Sequence, residues 1–117
     1  TTNSPGMKRD IGLFIEDILE SIKHIEDFSR EIDKEKFSKD LLRQSAIIRQ
    51  LEIIGEAVKN IPESFRNKYP NIPWRDISGF RDVLTHGYFG VNIDKVWQII
   101  EFDLPILKKE IEKIKVE

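Results

Sequence analysis

The side chains best equipped for chemistry lie in one stretch, Phe80-Arg81-Asp82-Val83-Leu84-Thr85-His86-Gly87-Tyr88-Phe89. If this stretch is helical, Asp82 and His86 stand four apart on one face, where the carboxylate can orient the imidazole and favour its protonated form. Arg81 lies about 140° from His86 around the same axis, so the two flank a shared edge. Helix continuing past Gly87 would bring Tyr88 back to the side of Arg81. A guanidinium, an imidazole and a phenol at one helix end suit a phosphodiester. Arginine grips phosphate oxygens bidentately, and histidine exchanges protons near neutral pH. A plainer account stays open: a histidine that interacts with the dipole of a helix C-terminus, and an arginine in a surface pair with Asp82 or Asp76.

Composition narrows the alternatives. Cysteine is absent, so disulfides, thiolate metal sites and cysteine nucleophiles are excluded; His24 and His86 are the only histidines, too few for a histidine-rich metal centre. The 117 residues are enough for one hydrophobic core, with 39% hydrophobic and 34% charged residues indicating a soluble globular chain. A net charge of −2 argues against nonspecific coating of nucleic acid, which scales with the phosphates neutralised, but allows a confined basic cleft. Arg75, Arg49 and Arg43 are candidates to join Arg81 there. No apolar run reaches the roughly 18 residues of a membrane span. Residues 1–6 precede Met7 without the character of an export signal and are expected to be a tag remnant, leaving 7–117 as a single domain with the cytoplasm as its default location.

The elements that must position these groups read as helices throughout. Ile11, Phe14, Ile15, Ile18, Ile22, Ile25 and Phe28 form one stripe on a helix from about residue 8 to 30. After the polar break Glu31–Glu35, a longer helix is expected to run to about Asn60, with Leu41, Ile47, Ile48, Leu51, Ile54, Val58 and Ile61 on a broad apolar surface. Gly55, costly inside a helix, suggests close approach of a neighbour. Pro62, Pro70 and Pro73 interrupt the chain, leaving room for a short helix over 63–69. A third long helix is expected from about Pro73 to His86, stopping near Gly87. Asn92 is a natural N-cap for the last helix, whose stripe is Ile93, Val96, Trp97, Ile100, Leu104, Leu107, Ile111 and Ile114, with a kink expected at Pro105. The architecture so implied is all-α, an antiparallel bundle of four long helices plus a short one.

The spacing Arg81-x4-His86-x-Tyr88 resembles the R-x4-H-x-Y signature of the HEPN superfamily, in its HepT-like toxin branch. The flanks extend the resemblance. Leu51-Glu52-Ile53-Ile54-Gly55-Glu56-Ala57 is similar to the central "IGEA" segment of that family. Tyr69-Pro70-Asn71-Ile72-Pro73-Trp74, Gly79-Phe80-Arg81, His86-Gly87-Tyr88-Phe89-Gly90-Val91, Val96-Trp97 and Leu104-Pro105 follow in order. The resemblance covers about Lys8 to Lys115. It implies a HEPN-like, dimerising bundle and a metal-independent endoribonuclease toxin of a toxin–antitoxin pair, needing neither metal nor cofactor. Arg81 and His86 would be catalytic, meeting their copies in a cleft between protomers, with RNA (tRNA or mRNA) as substrate. Asp82 would orient His86. Tyr88 corresponds to the tyrosine that an MNT-type nucleotidyltransferase antitoxin modifies with AMP. One chain offers one good histidine, so an acid–base pair of histidines calls for a second copy. The alternative function is a non-catalytic helical adaptor that docks such a nucleotidyltransferase.

The remaining polar residues have plainer roles. His24 is expected at the surface or an interface. Glu52 and Glu56 can pair with Arg49 and Lys59 along their helix in preference to holding a metal. Trp74 and Trp97 are expected to anchor the core or an interface, and the Lys-rich tail Lys108–Lys115 to be a solvated face.

Overall fold

The computed structural model describes residues 3–86 and 92–114, and side chains over 11–80 and 92–114. Among these every regular element is a helix: α1 (Asn3–Ser29), α2 (Lys34–Lys39), α3 (Leu41–Asn60), α4 (Glu63–Arg66), α5 (Trp74–His86), α6 (Ile93–Gln98), a wide π-type turn (Ile99–Asp103) and α7 (Leu104–Ile111). The all-α bundle is the architecture the apolar spacing implies. α3 packs against both α1 and α5, and α7 closes against α1.

The stripe of α1 is buried as spaced. Ile18, Ile22 and Ile25 are essentially inaccessible and face a core containing Ile47, Leu51, Ile54 and Val58 of α3. Burying each such side chain contributes roughly 1.5–3 kcal/mol. Gly55 is buried on α3, the helix flanked by two others. α1 starts at Asn3, earlier than the apolar stripe requires.

The expected second helix is in fact two. Asp33 caps α2 by accepting from the Lys36 backbone N–H at 2.8 Å, and Asp40 ends α2 and caps α3, accepting from the Arg43 N–H at 3.0 Å. Arg43 is spent on structure: its guanidinium donates to the Asp40 carboxylate at 2.9 Å and its Nε to the Phe28 carbonyl at 2.9 Å, tying α3 to the end of α1. These bonds hold the Asp40 carboxyl below its ordinary value, first through the Arg43 backbone N–H and then its side chain. The break corrects one core assignment. Leu41, expected on the apolar surface, is 74% exposed, and Leu42 is 82% exposed. Phe37 of α2 fills the core in their stead, tilted against Trp97 at 5.3 Å between ring centroids, with its carbonyl accepting from the buried Gln44 amide at 2.8 Å.

The last helix departs from its even spacing. Buried residues run Val96, Ile99, Leu104, Leu107, Ile111, with a step of five in the middle. Ile99 takes the core place that spacing gives to Ile100, which is only half-buried. Pro105 has no N–H, so the hydrogen-bond ladder is short of a donor at that point, and the turn before it widens, with the Leu104 N–H donating to the Ile99 carbonyl. A wide turn thus accompanies the proline where a kink was expected.

Candidate active-site helix and the groove beside it

α5 carries the candidate catalytic residues and is anchored before it begins. The Trp74 indole N–H is shared between the carbonyls of Arg66 and Tyr69, at 3.1 and 3.0 Å, which fixes the proline-rich approach onto the first turn. Trp74, Ile77 and Phe80 are buried, locking one side of α5 into the bundle. The described helix runs through His86, and the expected stop near Gly87 lies outside the described residues. Arg81, Asp82 and His86 therefore occupy its last turns, on a regular helical backbone, while their side chains lie outside the described residues. Tyr88 lies outside them altogether.

Helical register orders the faces. Asp82 and His86 fall on the side of α5 that carries Arg75 and Gly79, and Arg81 falls toward the side of Trp74 and Ile77. The shared Asp82–His86 face is thereby supported by the observed backbone. Of the arginines expected to join a basic cleft, Arg75 is on this helix and exposed. Arg49 is turned to Glu52, 3.7 Å away on α3, and Arg43 is the clamp described above.

Alongside the first half of α5 runs a groove of about 460 Å³, walled on its other side by the last helix. Its floor is apolar, formed by Ile77, Phe80, Ile99 and Leu107, all buried. Its rim is charged in both signs: Arg75 and Asp76 from α5, Lys95 and Asp103 from the opposite wall. A side-chain carbon built at Gly79 would meet no atom within 4 Å, so the groove stays open over that residue. The Asp103 carboxyl is pushed above its ordinary value, chiefly by partial desolvation at the groove edge, with Lys95 opposing and Asp76 adding to the shift. Sequence spacing did not point to Lys95 or Asp103. The available signal was Pro105 behind the adjacent isoleucines 99 and 100, which allows the register to slip by one.

The other candidates have ordinary surroundings. His24 stacks on Phe28 at 6.2 Å and lies 3.7 Å from Glu20. Trp97 packs in the bundle, as expected of an anchor. In the tail, Lys108 reaches Glu26 of α1 at 3.1 Å and Lys113 reaches Glu110 at 3.0 Å, pairs of small individual worth. Among the described residues there is no group of three or more His, Asp or Glu arranged to hold a metal, and no helix long and apolar enough to cross a membrane.

Comparison with known proteins decides the family. The profile of the HepT-like family, described as "Ribonuclease HepT-like", matches residues 18–114. The chain belongs to the HepT-like ribonuclease family. It is 49% identical over 109 residues to a Thermococcus cleftensis protein named "Probable ribonuclease HepT", covering 93% of this chain and 99% of that one. It is also 49% identical over 107 residues to a Methanocaldococcus jannaschii protein whose name marks it as a candidate RNase, covering 92% and 88%. No solved structure matches the chain. HepT-like membership places it in the HEPN superfamily and accounts for the helical bundle as well as the order of its motifs.

Proposed function

We propose that this HepT-like chain is a metal-independent endoribonuclease, the toxin of a toxin–antitoxin pair acting in the cytoplasm. The observation that carries the reading is the location of Arg81, Asp82 and His86 in the last turns of α5, in a chain of a ribonuclease family. Arg81 and His86 are the catalytic residues, Asp82 orients the imidazole, and two copies face one another so that each contributes an Arg/His set to one cleft.

The reaction uses a nucleophile internal to RNA. The 2′-oxygen attacks the adjacent phosphorus while the bond to the 5′-oxygen breaks, leaving a 2′,3′-cyclic phosphate and a free 5′-hydroxyl. One His86 accepts the 2′-hydroxyl proton, and its counterpart in the second copy, protonated at the start, donates to the departing 5′-oxygen. Arg81 offsets the charge that builds on the non-bridging oxygens. Asp82, on the face of His86, favours the imidazolium the acid role requires. Tyr88 is the acceptor of AMP from an MNT-type nucleotidyltransferase antitoxin. Bulk and negative charge beside the cleft then oppose RNA by sterics and repulsion.

Protein expressed without its neighbouring gene product should cleave RNA, and Arg81→Ala or His86→Ala should lower the rate 10²–10⁴-fold while the fold survives. Intact-mass analysis after co-expression should show whole AMP units mapping to Tyr88. Unmodified protein that cuts no RNA and harms no host would replace this reading with that of a docking adaptor.

A further inference from the structure

The groove beside α5 differs from a generic basic surface in having two carboxylates among its cations. Arg75, Asp76, Lys95 and Asp103 are all exposed at its rim, and none closes an ion pair or side-chain hydrogen bond among the described residues. A rim of balanced charge gives a bare polyanion no net attraction. An apolar peptide would leave four charges to desolvate without partners. A nucleotide matches all parts at once: a flat base for the apolar floor, a donor edge for a carboxylate and a phosphate for the cations.

We propose that this groove is a subsite for one guanine nucleotide of the RNA flanking the cleaved bond, its base over Phe80 and Ile99, its Watson–Crick edge donating to Asp103 and its phosphate met by Arg75 and Lys95. The subsite rests on the ribonuclease reading above for its purpose, and on three features of its own for its chemistry. Gly79 opens the groove on the side of α5 that, by register, also carries Asp82 and His86, about 4.5 and 10.5 Å further along the axis. The widened turn before Pro105 brings Asp103, its last residue, to the groove wall. Guanine presents adjacent N–H donors at N1 and N2 that one carboxylate accepts together, whereas uracil presents a single one. Ile106, 59% exposed at the mouth, adds an apolar shelf for the sugar.

The test uses oligouridine probes carrying one central G, A, C or U. Binding is read by fluorescence anisotropy on His86→Ala protein, and cleavage on the unaltered protein. The G probe should bind at least tenfold tighter than the U probe. Gly79→Leu, which fills the open groove, and Asp103→Asn should each erase that preference. Lys95→Gln should weaken all four probes and reduce the slope of log affinity against log salt by about 0.7, the value for one lost single-strand phosphate contact. Lys59→Gln, on α3, should change nothing. A G preference that survives both Gly79→Leu and Asp103→Asn overturns the subsite. So does a Gly79→Leu protein whose oligomeric state changes while its base preference does not, which would assign the groove to a protein contact. The two readings fail separately. Discriminating binding without cleavage sinks the ribonuclease and keeps the subsite, and cleavage indifferent to the base and to Gly79→Leu does the reverse.

Discussion

The two sides of α5 are built for opposite purposes. On one, Trp74, Ile77 and Phe80 are buried against the bundle, and the Trp74 indole is doubly bonded to the preceding segment. On the other, Arg75 stands exposed and Gly79 faces open space, on the side to which register assigns Asp82 and His86. The contrast teaches how a short helix can hold candidate reactive groups steady. Packing on one side supplies the rigidity, so the other can dispense with packing and keep room for a ligand.

The sharpest way to test the contrast is to alter each side in turn. His86→Ala should cost the most, 10²–10⁴-fold in RNA cleavage, with no matching loss in denaturation midpoint. On the packed side, Ile77→Ala should lose about 2–5 kcal/mol in urea titration because it opens a cavity in the core. Trp74→Phe keeps the ring's bulk but removes a donor from two carbonyls, and should lose about 1–2 kcal/mol in the same titration. The open side should respond with the opposite sign. Gly79→Ala gains helix propensity and meets no neighbour, so it should stabilise by roughly 0.5–1 kcal/mol. If it destabilises, the space over Gly79 is occupied in the working molecule.

The smallest effect is the most specific. Folding raises the Asp103 carboxyl above its ordinary 3.8, so the folded chain holds this proton more tightly than the unfolded one. That contribution is complete below the ordinary value and is lost as pH rises through the raised one. Asp103→Asn removes the dependence. Its melting temperature should match the unaltered protein's near pH 3 and exceed it slightly at pH 7. Equal curves across the range would mean that the groove edge does not desolvate the carboxyl.

Local patterns were legible in the residues alone. The α1 stripe runs unbroken at steps of three and four, and the core accepts it without adjustment. The order of Arg81, Asp82 and His86 on α5 was legible for the same reason, since register within one helix needs no tertiary information. The division at Asp40 was missed although its signal was present. Asp33 and Asp40 each stand three residues before the N–H they cap, but the apolar Leu41 and Leu42 made the run look continuous. The step from Ile99 to Leu104 could not be chosen from sequence, because Ile99 and Ile100 are equally apolar and only the packing of the folded core discriminates. The groove joins residues some twenty apart, and it depended on that choice.

The wide turn before Pro105 has a consequence for how such proteins diverge. It is in effect one residue more than the register of an ordinary helix accommodates, so its natural mutation is a deletion and not a substitution. Loss of a single residue between 99 and 103 would restore an even ladder with the buried positions four apart, so both flanks would keep their facing, whereas tightening the turn at constant length would rotate one side by about 100° relative to the other. Only that tightening would carry the carboxylate off the groove wall. Among related chains, then, a one-residue gap at this point should leave the core pattern on both sides intact.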